Sequence, residues 1–151
     1  MTTIASICNR AVAFTTRDTP IAAAAKLMRQ GHIGSLVIVE QMNVGKRNPV
    51  GIVTDRDIVV EVIATGLDPA VITVGDVMER ELVVGRESDS VLQTLEIMRF
   101  KGVRRLPTID QEGQLVGIVT VDDILEVLSE ELSELSRIVA REQAREASAR
   151  K

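Results

Sequence analysis

The chain has 151 residues, 45% of them hydrophobic, yet only Phe14 and Phe100 are aromatic, and it carries a net charge of -4 with a pI near 5.1. That length allows one domain or two very small ones, with a core of Ile, Leu, Val, Ala and Met. The acidic balance excludes a general nucleic-acid binder, which needs a basic face, and the missing Trp and Tyr exclude aromatic platforms for single-stranded bases.

Taken in chain order, Val12 to Phe14 reads as a first short strand, and Thr19 as the N-cap of a helix with Pro20 at its first position. Ile21, Ala24, Ala25, Leu27 and Met28 then share one helical face until Gly31 stops the helix. Leu36 to Val39 and Val50 to Val53 are β-branched runs separated by a turn, a hairpin of buried strands, and helical spacing resumes from Asp55 to about Ala64. Gly66, Asp68 and Pro69 mark a linker, bounded at residues 67–74. Leu82 to Val84 opens a second round of strand, helix, strand, strand, helix.

The second round repeats the first. Gly51-Ile52-Val53-Thr54-Asp55-Arg56-Asp57-Ile58 and Gly117-Ile118-Val119-Thr120-Val121-Asp122-Asp123-Ile124 agree at six of eight positions. Upstream, Met98 aligns with Met28 at an offset of 70, which falls to 66 for Gly117 against Gly51, so the first copy holds four extra residues between Val39 and Val50. Insertions of this kind belong in exposed turns, and Lys46 and Arg47 within it read as solvated charges. A repeat of about 60 residues buries too little surface to stand alone, so the two sheets are expected to pack face to face about a pseudo-twofold axis. The fold class is α/β (α+β), with units at 1–66 and 75–131 and a C-terminal helical extension at 132–151. Leu128, Leu132, Leu135 and Val139 give that extension an apolar stripe, for the body or a second chain, before residues 141–151 fray.

Chemical content concentrates in Thr54-x-x-Asp57 and Thr120-x-x-Asp123, each where a strand ends and a helix begins. The Thr hydroxyl and the first free N–H groups of a helix make an anion site, while a carboxylate accepts well from a ribose diol, so a nucleotide satisfies both. Thr-x-x-Asp is equally the pattern of a capping box, with acid in the first turn complementing the helix dipole. Both readings stand on the sequence. Asp122-Asp123 fits a helix start better than a Mg²⁺ cage, and no metal site is expected. With one His and no nucleophile or Walker-type motif, an enzyme is not expected either. His32, after the first helix, reads as a surface or capping residue or else a phosphate ligand. Cys8 has no partner for an internal disulfide and reads as an inert thiol. No run of about 18 apolar residues and no signal-peptide pattern at Met1 to Arg10 point to a cytoplasmic protein without a membrane span.

These octets, together with Gly102-Val103-Arg104-Arg105-Leu106-Pro107, resemble tandem CBS motifs, the paired arrangement called a Bateman module, over about Ile7 to Leu128. The resemblance implies a regulatory module that binds an adenosine-containing ligand such as AMP, ADP, ATP, NAD or S-adenosylmethionine in clefts between the motifs. It implies phosphate at Thr54 and Thr120 and ribose at Asp57 and Asp123. It places adenine near Val12, Ala13, Phe14, Ser35, Leu36 and Val37 in one site and near Leu82, Val83, Val84, Arg105, Leu106 and Pro107 in the other. It also implies a homodimer, a flat disc of four motifs, and a separate regulated protein. Arg104, Arg105 and Pro107 have no counterparts in Gly34, Ser35 and Val37, so positive charge for a phosphate is better supplied by the second copy.

Overall fold

A computed structural model describes residues 2–41 and 45–150. The insertion residues 42–44 and the final residue of the expected frayed tail, 151, lie outside the described residues. Two three-stranded sheets are built in the same way, in the orders β1-β2-β3 and β4-β5-β6. The first comprises β1 (Phe14–Thr15), β2 (Ser35–Glu40) and β3 (Asn48–Thr54), with α1 (Ile21–Gly31) between β1 and β2. After β3 come α2 (Asp55–Asp57), a π-helical stretch (Ile58–Ile63) and α3 (Val74–Val77). The second comprises β4 (Gly85–Arg86), α4 (Val91–Lys101), β5 (Arg105–Ile109) and β6 (Leu115–Thr120), followed by α5 (Val121–Ala149). In both, a parallel pair is followed by an antiparallel one, and the antiparallel register slips at equivalent points, Ile38/Val39 and Thr108/Ile109.

Several boundaries differ from the sequence reading, each for a local reason. Both leading strands start later than expected, at Phe14 and Gly85, because pairing to β2 and β5 begins only there. Pro20, not Thr19, is the N-cap of α1, and it makes no side-chain cap bond; the Thr19 hydroxyl is engaged with that of Thr15 at 2.6 Å. Gly31 does not break the helix: it is the last helical residue, and His32 takes the left-handed position at φ 51°. The matching position in the second repeat, Gly102, has φ 66° and no Cβ to strain. The helix from Asp55 is π-helical over Ile58–Ile63, with the Ala64 N–H donating to the Val59 carbonyl.

Each β2-type strand is buried on both faces. Leu36 and Ile38 enter the first core with Ile21, Ala24, Met28, Val53, Ile58 and Val62, whereas Val37 and Val39 meet Leu115 in a layer shared with Val12, Phe14 and Ile118. That layer is where the sheets face each other, and burying each such side chain is worth about 1.5–3 kcal/mol. The cores themselves are completed by exchange. Ile4, 0% exposed, belongs to the second core with Leu106, Val119 and Ile124, while Val74 and Met78 belong to the first. The bridges Thr3 to Ser90 and Asn9 to Ile118 are mirrored by Thr73 to Pro20 and Glu79 to Ile52, which is the pseudo-twofold written in backbone pairs. The segment before each repeat therefore packs on the other, and within the segment read as linker Ile72 and Val74 are packed residues.

α5 is a continuous helix of 29 residues, helical through Ala149 where fraying is the expectation from composition. Its first turns pack on the second core through Ile124 and Leu128, and from Ser129 onward every described residue is exposed. The stripe of Leu132, Leu135 and Val139 thus stands exposed to solvent.

Candidate functional site

Each Thr-x-x-Asp pair sits at a strand-to-helix junction fixed by the hairpin register. Thr54 ends β3 opposite Ser35, and Thr120 ends β6 opposite Arg105. The Asp55 N–H donates to the Gly34 carbonyl and the Val121 N–H to that of Arg104, both at 2.9 Å, so the residues just ahead of β2 and β5 are held against the helix start. Of the sequence candidates, these are the groups brought together: Thr54, Asp57 and Ser35 in one copy, and Thr120, Asp123, Arg104 and Arg105 in the other.

Both pairs are complete capping boxes. The Asp57 N–H donates to Thr54 Oγ1 at 3.1 Å and the Thr54 N–H to Asp57 Oδ2 at 2.8 Å. In the second copy the matching distances are 3.2 and 2.7 Å, and the Thr120 hydroxyl also donates to Asp123 Oδ2 at 2.8 Å. At the carboxylate the cap and the ligand readings use different atoms, but the Thr120 hydroxyl proton that a phosphate would take is already donated to Asp123 Oδ2. Capping uses Oδ2 alone, and among the described residues no hydrogen bond reaches Oδ1 of either Asp. All four side chains are half-buried.

The surroundings separate the two copies. Asp57 lines a cleft of about 340 Å³ with Glu61, Asp76 and Glu79, four carboxylates that oppose a phosphate. Asp76 is held below its ordinary value of 3.8 by hydrogen bonds from the backbone and side chain of Thr73. Beside Thr54 stand Gly34, whose missing Cβ would lie 3.2 Å from Asp55 Oδ2, and Asp55 itself. The second copy has Arg104 and Arg105 at the same place, Arg104 exposed and Arg105 partly so.

The remaining candidates scatter. Leu36 and Leu106 are 1% and 0% exposed, their side chains committed to the cores, and Pro107 is buried as well. Ala13 and Val83 pack against the first and second cores, and Val12, Phe14 and Val37 lie between the sheets. Leu82, Val83 and Val84 line a cleft of about 480 Å³ with Glu79, Glu81, Lys101 and Val103. His32 is exposed and serves as the left-handed cap of α1.

Arg47 is exposed, as its reading as a solvated charge expects, but it also stacks on a ring. Its guanidinium lies 4.1 Å from the centroid of Phe14, and its carbonyl accepts from the Leu115 N–H at 2.8 Å. The inserted turn therefore lies over a residue of the expected adenine pocket, and a base stacking on that face of Phe14 would have to displace it. The sequence signal for Arg47 was the scarcity of aromatic rings, which leaves few places for a guanidinium to stack. Cys8 sits against the second core, and burial pushes its thiol above the ordinary value of 9.0, with Arg10 offsetting part.

Comparison with known proteins places this architecture. The CBS domain family model matches residues 4–64 and 74–130. An uncharacterized protein of Methanopyrus kandleri is 41% identical over 100 residues, 66% of this chain and 49% of that protein, so the chain spans about half the length of this relative. Hypoxic response protein 1 of Mycobacterium tuberculosis is 37% identical over 133 residues, 86% of this chain and 87% of its own. A crystal structure of Hypoxic Response Protein I with two coordinated zinc ions superposes with a TM-score of 0.72 at 36% identity, covering 83% of this chain and 98% of the other. Among the described residues of the present chain no group of three His, Cys, Asp or Glu could hold a metal ion. The CBS pair of protein MJ0100, in complex with 5'-methylthioadenosine and S-adenosyl-L-methionine, gives a TM-score of 0.75 at 24% identity, covering 87% of this chain and 98% of the other, a likeness of fold. No described helix is long and apolar enough to cross a membrane. With a match in each half, mirrored bridges and two strand-helix junctions alike, the chain belongs to the CBS domain family as a tandem pair.

Proposed function

We propose that this chain is a regulatory ligand-sensing module for an adenosine-containing molecule, AMP, ADP, ATP or NAD, whose occupancy is passed to a partner protein. One observation carries the reading: each capping box spends a single carboxylate oxygen, leaving Oδ1 of Asp57 and Asp123 at a helix N-terminus, as a ribose diol requires. The adenosyl ligands held by the MJ0100 pair support the ligand class. The phosphate end goes to the second copy, where Arg104 and Arg105 supply the charge that the acidic cleft around Asp57 opposes. A disc-like homodimer would cover the exposed Leu92 and Phe100 of α4 (68% and 86%) with Leu125 (56%), and Val59 and Ile63 (57% and 58%) in the first repeat.

The test is calorimetry and thermal shift with AMP, ADP, ATP, NAD and S-adenosylmethionine on the unaltered chain and on Asp57→Asn, Asp123→Asn and Arg105→Ala. Asn keeps an oxygen for the cap, so the fold should hold. Loss of one charge-assisted hydrogen bond, about 1.5–3 kcal/mol, lowers affinity roughly 10-fold or more. The complete boxes favour a second reading, a ligand-free dimerisation domain. A melting temperature indifferent to every ligand would establish that reading and end the first.

A further inference from the structure

The exposed end of α5 is built as a helix that lacks its other half. Leu132, Leu135, Ile138 and Val139 are 64%, 60%, 63% and 54% exposed, and their spacing of three and four residues puts them on one stripe continuous with the half-buried Leu128. Helical stability in proteins comes mainly from packing such a stripe rather than from propensity. The ion pairs along this stretch, Arg137 to Glu134 at 2.6 Å and Arg150 to Glu146 at 3.9 Å, are exposed and contribute little.

Charge says what covers the stripe. Residues 126–134 carry Glu126, Glu130, Glu131 and Glu134 with no basic residue, whereas residues 137–150 carry Arg137, Arg141, Arg145 and Arg150 against only Glu142 and Glu146. A parallel copy would set the acidic half on the acidic half. An antiparallel copy crossing between Leu135 and Ser136 brings Glu126, Glu130 and Glu134 level with the partner's Arg145, Arg141 and Arg137, and Leu132 level with the partner's Val139. It also opposes the two helix dipoles. An anionic membrane surface would be repelled by the same acidic half. We infer that the exposed end of α5 pairs antiparallel with the same helix of a second copy of this chain, an interface separate from the α4 face and independent of nucleotide binding.

Light-scattering mass of the full chain tests the partner. Leu132→Glu with Leu135→Glu should lower the mass two-fold, as should a stop after Ser129, while both still melt cooperatively; Phe100→Asp should leave this contact intact. Equal mass for the unaltered chain and both α5 variants would overturn the inference. Orientation is read with pyrene on Ser136→Cys or Ser148→Cys in a Cys8→Ser background. Probes at 136 lie near the crossing and give excimer emission, whereas probes at 148 are about 40 Å apart at a 1.5 Å rise per residue and give none. Excimer emission from position 148 would overturn the antiparallel arrangement.

Discussion

The first and second repeats share a backbone plan and differ in what fills it. The first core is apolar throughout, with Ala24 and Ile38 where the second has Thr94 and Thr108, both 0% exposed. Thr94 donates to the Ser90 carbonyl at 2.9 Å, but Thr108 Oγ1 has no partner among the described residues. Conversely, α4 is capped by Ser90 in a full capping box, whereas α1 starts at Pro20 without a side-chain cap. The charged site follows the same division, with arginines in the second copy and Gly34, Ser35 and Asp55 in the first. Duplication supplied two equal frames, and the second gave up some core apolarity while gaining polar and charged groups.

The comparison breaks most sharply at the paired glycines. A Cβ on Gly117 would meet the Asn9 carbonyl at 2.9 Å and Cys8 Sγ at 3.0 Å; one on Gly51 meets Met78 Sδ at 2.6 Å, the end of a flexible side chain, before the Glu79 carbonyl at 3.1 Å. Gly117→Ala should cost about 1–3 kcal/mol in urea unfolding and Gly51→Ala less, because a sulfur can swing away and a backbone carbonyl cannot. Equal costs would mean that the exchanged segments yield alike. Thr108→Val should stabilise by about 1–2 kcal/mol by removing a buried hydroxyl without a partner, bringing the second core closer to the first. At the helix ends, His32→Gly should stabilise by about 0.5–1 kcal/mol, making the first repeat match Gly102. The smallest effect is in acid. Because hydrogen bonds hold Asp76 below 3.8 in the folded chain, its contribution is complete above that value and fades as pH falls through the depressed one; Asp76→Asn should flatten that limb of an acid titration of stability.

Much of the site was legible because it is local. A capping box lies within four residues, so Thr54 with Asp57 and Thr120 with Asp123 could be read without tertiary information. The first hairpin was legible too, but the register that sets Ser35 against Thr54 and Arg105 against Thr120 is supplied by the folded strands. Arg47 over Phe14 was not legible, because it joins residues more than 30 positions apart through a turn whose direction no periodicity encodes. That the side chains of Leu36 and Leu106 enter the cores was not legible for a related reason: alternation says that neighbours face opposite ways, and not which way faces the core.

By itself the sequence determined the duplication, the order of elements and the chemistry at each strand-to-helix junction, since these depend on propensity, spacing and short-range hydrogen bonds. Only the tertiary structure decided that Ile4 completes the second core and Val74 the first, and that the inserted turn reaches Phe14. It also decided that the stripe on α5 finds nothing on its own body to cover it. Those are contacts at long sequence separation, selected by which apolar surfaces can be buried together, and a single chain records that choice only once it is folded.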